Sequence, residues 1–177
     1  MSYRRMPPTE AQLEGAARHQ LAWEALCLLD SLGHRGNAIV FHRAIGVLLH
    51  FTQGRRRDFN HPMGMHDALL HTRVIADFLY CPSACPNSQH ADDIEAGDYL
   101  TNWPGVDVLG KDNRLSINKS VTHLSRTRPE RQVMSVPERK RLGVETLLAL
   151  KDFMDHVGGE QTSWFDDLRE AIDTAGL

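Results

Sequence analysis

The sequence predicts an all-α fold: a bundle of about five or six helices with one long irregular insertion. Three observations predict it. Apolar residues recur at helical spacing through most of the chain. The breaks between these stretches fall on Gly, Pro and Asn, and several stretches open on a capping residue. Strand-like alternation and internal repeats are both absent from the sequence.

The first helix opens after Pro7-Pro8, where Thr9 and Gln12 fit a capping box. Leu13, Ala17, Leu21, Ala25, Leu28 and Leu32 then line one face, and Gly33 and Gly36 end it. Asn37 caps a second helix, with Val40, Ala44 and Val47 as its stripe. After Gly54 and a basic loop, a third helix is predicted from about Met65 to Tyr80, with Leu70, Val74 and Phe78 as its stripe, flanked by Leu69, Ala76 and Leu79. The run from Cys81 is rich in Pro, Ser and Asn and opens the insertion, roughly 81–111, with a short helical turn at Asp92–Gly97 and a turn at Trp103-Pro104-Gly105. A fourth main helix runs from about Asp112 to Arg128 through Ile117, Val121 and Leu124, up to Pro129. The next opens near Ser135 and carries Leu142, Leu150, Met154 and Val157 as far as Gly158-Gly159. Ser163 caps the last, which holds Leu168, Ile172 and Ala175.

At 177 residues the chain reads as a single helical domain, 1–177, long enough for its own core. With 41% hydrophobic and 24% charged residues it is neither disordered nor fibrous. Its apolar runs are shorter than the roughly 20 residues of a membrane span. The basic N-terminus lacks the apolar stretch of a secretory signal, and three cysteines make no disulfide framework. A cytoplasmic protein without a membrane partner is the expectation.

The net charge of −3 hides a strong asymmetry. Residues 111–141 hold nine basic and three acidic residues, a net +6, whereas residues 142–177 hold two and eight, a net −6. The basic segment suits a phosphate-bearing ligand or nucleic acid. The plain alternative is that the acidic last helices pack beside it and neutralise it.

Two clusters could carry chemistry. In the third helix, Arg73 and Asp77 are four residues apart and can pair, with His71 near the apolar stripe. Three polar groups in an apolar run either satisfy one another or serve a site. In the fourth, Lys119, His123 and Arg126 line one face, with Asn118 and Thr122 beside them and Arg128 following. Cations hold an anionic substrate, and an imidazole moves a proton near neutral pH. The alternatives are a register-fixing ion pair in the first cluster and a solvated basic face in the second.

The patterns H-x-R-x-x-x-D-F (His71, Arg73, Asp77, Phe78) and N-K-x-x-x-H-L-S-x-x-R (Asn118, Lys119, His123, Leu124, Ser125 and Arg128 or Arg126) span about Met65 to Arg128. Over that stretch the chain resembles a family of small uncharacterised bacterial all-helical proteins. More distantly it is similar to HEPN-domain ribonucleases, helical bundles that are usually dimeric and act in toxin–antitoxin and phage-defence systems. Their mark is an Arg, then four to six intervening residues, then a His. Arg43 and His50 have this spacing but lie in the second helix, while before His123 it is Lys119 that stands in place of the Arg.

The sequence offers two metal arrangements. Cys81-x3-Cys85-x4-His90 offers zinc-type ligands in a Pro-stiffened loop. His61, His66, His71 and His123 are similar to the set in DinB-like bundles, which bind metal through His residues on separate helices. His66 and His71 share a predicted helix but point to diverging faces. Neither supports a metal or cofactor assignment. The reading is therefore a HEPN-like, metal-independent RNA-cleaving or RNA/phosphate-binding protein, with RNA and a second copy of the chain as the expected partners. In it His123, His71 and Lys119 are catalytic, and Arg73, Asn118, Arg126 and Arg128 bind. The alternatives are a non-catalytic helical interaction protein and, behind it, the histidine–metal bundle.

Overall fold

The computed structural model describes residues 7–33, 62–81, 93–118 and 134–177. Among them every regular element is helical and no strand occurs. Thr9 caps the first helix as expected: its Oγ1 accepts from the Gln12 N–H at 3.3 Å, and the Gln12 side chain accepts from the Thr9 N–H at 2.8 Å. From there α1 (Glu10–Gly15), a π-helical stretch (Ala16–Leu21) and α2 (Ala22–Leu32) run on as one helical rod. The predicted stripe from Leu13 to Leu32 is buried throughout. Gly33 ends the rod at φ +89°, a left-handed conformation open to glycine without a Cβ penalty. The helix predicted from Asn37 lies outside the described residues.

The third predicted helix is α3 (Pro62–Tyr80). Its buried face is rotated from the centre of the expected stripe onto the flanking residues Leu69, Ala76 and Leu79, with Phe78 still packed on the core. Leu70 and Val74 are each 40% exposed, and the buried face is Ala68, Leu69, Thr72, Ile75, Ala76 and Leu79. Apolar residues surround more than half of this helix, so periodicity alone admitted either face. Packing selects the one holding small Ala68 and Ala76, which allows close approach.

The insertion is irregular but firmly held. Its short helix is α4 (Ala96–Tyr99), somewhat later than predicted. The Tyr99 hydroxyl donates to the Leu13 carbonyl at 2.7 Å. The Leu79 carbonyl at the end of α3 accepts twice, from the Trp103 indole at 2.8 Å and the Val106 N–H at 2.9 Å. These bonds satisfy polar groups that burial would otherwise leave costly. Helix α5 (Gly110–Ile117) follows, opening two residues before the predicted Asp112.

Ser135 caps α6 (Val136–His156), its Oγ accepting from the Glu138 N–H, with Pro137 in the first turn. Phe153 of α6 is the hub of the main core, with edge-to-face rings from Phe78, Trp103 and Phe165 at 5.2, 5.3 and 5.8 Å. Gly143 brings α6 against α2: a Cβ there would stand 3.1 Å from a Leu32 methyl. A smaller cluster joins Leu69, Ala76, Leu109, Ile117 and Leu142. Phe78 meets Phe153 in the last turn of both helices, and Leu69 and Leu142, each nearer its helix N-terminus, share this cluster, so α3 and α6 run in the same direction.

After α6 come a 3₁₀ stretch (Gly159–Phe165) and α7 (Asp166–Thr174). Ser163 does not cap the last helix. Its hydroxyl donates back to the Glu160 carbonyl at 3.0 Å, and α7 opens on Phe165, whose buried ring anchors the turn instead.

Candidate functional site

His71 and Glu24 make the closest described pairing of an imidazole with a carboxylate between elements. Glu24 lies in the first turn of α2, and His71 in the middle of α3. Nδ1 of His71 is 2.6 Å from Oε2 of Glu24, and the two side chains are 14% and 22% exposed. An ionised carboxylate can only accept, so Nδ1 carries the hydrogen and Nε2 is the ring position left to gain or lose a proton. A carboxylate that fixes tautomer and ring direction is the arrangement an acid–base histidine needs. The same bond also fastens α2 to α3.

Arg73 and Asp77 form the predicted pair, with Nε 2.8 Å from Oδ2. Asp77 holds a second cation: its Oδ1 accepts from Arg114 of α5. Arg114 in turn reaches Asp107 at 3.2 Å and lies over the Tyr80 ring at 4.5 Å from the centroid. Burial lowers the pKa of both guanidinium groups, and for Arg114 the neighbouring Arg73 charge adds to the effect. Two cations and two carboxylates thus cancel, and the cluster is a clamp between α3, α5 and the chain leading into α5.

The structure separates residues that the sequence reading grouped. His71 and Arg73 project about 160° apart around α3, so His71 faces α2 while Arg73 and Asp77 face α5. Helix α5 is the start of the predicted fourth helix, and it meets α3 at Asp77. Asn118 follows α5, its backbone N–H bonded to the carbonyls of Arg114 and Leu115. Lys119, His123, Arg126 and Arg128 lie outside the described residues, as do Cys85, His90, His61 and the side chain of His66. Cys81 is buried. Among the described residues no three His, Cys, Asp or Glu side chains gather as a metal site.

Three residues escaped the sequence reading. Glu24 is the first of two charged residues in the apolar run from Leu21 to Leu32, and such a lone carboxylate is the signal that could have found it. Arg114 and Arg139 are two of the nine basic residues of 111–141, and spacing alone assigns neither a contact. The described cations of the acidic tail pair mainly within it, Lys151 with Asp173 and Arg169 with Asp155 and Asp166. From the basic segment, Arg141 reaches the tail at Glu145, one turn along its own helix.

No described helix is long and apolar enough to cross a membrane. The chain matches no family model, no curated protein and no solved structure.

Proposed function

We propose that this protein handles RNA, or another phosphate-bearing ligand, by metal-independent acid–base chemistry of the HEPN-like kind, with His71 as the proton-transfer group and Glu24 as its positioning residue. The observation that carries this reading is the 2.6 Å contact between Nδ1 of His71 and Glu24, made by partly exposed side chains. In RNA cleavage of this type a base takes the proton of a 2′-hydroxyl, that oxygen attacks the adjacent phosphorus, and the 5′-oxygen leaves with a proton. Nearby cations stabilise the charged phosphorane. The net +6 of residues 111–141 supports a role for that segment as their source, with Lys119, His123, Arg126 and Arg128 as its candidates. Arg73 is a weaker candidate than the sequence suggested, because its Nε is already held by Asp77. A homodimer in a toxin or phage-defence setting belongs to the same proposal.

The test is incubation with labelled single-stranded RNA and with the same strand carrying 2′-deoxy sugars, each with and without EDTA. Scission of RNA alone, leaving 2′,3′-cyclic phosphate ends and unaffected by EDTA, supports the proposal. Scission that EDTA abolishes favours the histidine–metal bundle. A specific observation favours a second reading: Arg73, Asp77, Arg114 and Asp107 satisfy one another, as polar groups that only organise a bundle would. A protein that leaves every RNA intact is then a non-catalytic helical interaction protein.

A further inference from the structure

Arg139 lies in the second turn of α6, on the face that continues through Leu142, Gly143 and Thr146 into the protein interior. The residue is 5% exposed, the most buried of the described arginines and lysines. Its Nε is sealed from solvent and has no hydrogen-bond partner. Other half-buried arginines are spent: Arg73 on Asp77, Arg114 on Asp77 and Asp107, Arg169 on the Met154 carbonyl and two aspartates. No ion pair is found for Arg139 among the described residues. Burial lowers its pKa, and the adjacent Glu138 only partly opposes this.

A buried guanidinium without a counter-charge is expensive, and folded proteins pair such groups or use them. The placement adds to the cost. Helix N-termini carry partial positive charge, so a cation in the first two turns of α6 sits against the field of its own helix. Because α3 runs parallel to α6, its N-terminus lies at the same end of the bundle and adds to that field. The group that would compensate Arg139 is an anion with several acceptor oxygens.

We infer that Arg139 is the anchor of an anion site that takes a phosphate group, bound by the guanidinium fork at the N-terminal end of α6. Arg suits this task because its planar donors match phosphate oxygens in pairs. The inference deepens the proposed function, since the phosphate could belong to RNA or be free. It also separates two properties that usually travel together. Arg139 lowers the stability of the empty protein and raises that of the ligand-bound one.

The experiment is thermal unfolding of wild type and Arg139→Met in sodium phosphate and in sodium chloride of equal ionic strength. Phosphate raises the Tm of wild type and leaves that of Arg139→Met unchanged, while in chloride the variant melts at or above wild type. A wild type that phosphate does not stabilise more than chloride overturns the inference, as does equal stabilisation of both proteins. A variant that fails to fold, or melts below wild type in chloride, also overturns it, because the guanidinium is then structural. Competition with a labelled RNA distinguishes the sources. If RNA is the ligand, Arg139→Met weakens its binding by on the order of ten- to a hundredfold, the loss of charge-assisted hydrogen bonds. Phosphate protection without any RNA binding or scission keeps the anion site and removes the RNA reading. RNA scission that Arg139→Met leaves unchanged in both kcat and KM keeps the RNA reading and removes the anion site.

Discussion

Asp77 of α3 and Arg114 of α5 form an ion pair that joins two helices at the mouth of the insertion. Arg73 pairs with the other oxygen of the same carboxylate, so one side chain neutralises two cations. Asp77→Ala therefore leaves two half-buried guanidinium groups facing each other. The side chains are 23%, 39% and 21% exposed for Arg73, Asp77 and Arg114, so solvent screens part of the loss. The expected destabilisation is about 1–3 kcal/mol, below the roughly 3–5 kcal/mol of a fully buried pair. In chemical denaturation Asp77→Ala lowers the midpoint clearly. Removing Arg114 as well recovers part of the loss, since the repulsion with Arg73 goes too. Additive single and double variants would mean that the three groups act independently.

Gly143 sets the distance between α2 and α6. A Cβ at this position would stand 3.1 and 3.2 Å from the Leu32 methyls and 3.3 Å from a Leu28 methyl. Gly143→Ala gains about 1 kcal/mol of helix propensity and spends it on moving flexible methyl groups, so it is close to neutral. Gly143→Val adds branches that the Leu32 side chain cannot clear, costing about 1–3 kcal/mol. Equal midpoints for the two variants would show that the helices are not in close contact there.

The Tyr99 hydroxyl gives the fold a pH dependence at the alkaline end. Burial first, then the Asp98 charge, push its pKa well above the usual tyrosine range. In the unfolded chain the group ionises near about pH 10. Above that pH the unfolded state binds fewer protons than the folded one, so stability falls as pH rises; below it the contribution is complete. Tyr99→Phe loses the hydrogen bond to the Leu13 carbonyl and is less stable by about 1 kcal/mol at neutral pH. Its stability then changes less between about pH 9 and 11, and the two proteins converge. Curves that stay parallel through that window would place the Tyr99 hydroxyl in solvent.

Much of the fold was legible because caps and small residues act locally. Thr9, Gly33 and Ser135 mark element ends through bonds made within one turn, which spacing alone reveals. What the sequence hid depends on contacts far along the chain. Leu70 and Val74 repeat at the same spacing as Ile75 and Leu79, and only the approach of α2 and α6 decides which pair is covered. The partners of the site residues were hidden for the same reason. Glu24 is 47 residues from His71, and Arg114 is 37 from Asp77. The local Arg73–Asp77 pair was readable, since four residues is one helical turn.

The central claim is that His71, held by Glu24, moves the proton, and RNA scission by His71→Ala beside wild type tests it most directly. The account predicts that wild type cleaves labelled RNA equally with and without EDTA, and that His71→Ala loses turnover by a factor of on the order of 100 or more while still binding RNA. Both proteins should retain a cooperative melt, so that the loss cannot be assigned to unfolding. Glu24→Gln should fall between them, because an amide keeps a hydrogen-bonding group beside Nδ1 but not its charge. Undiminished scission by a folded His71→Ala, or intact RNA with wild type itself, would contradict the account.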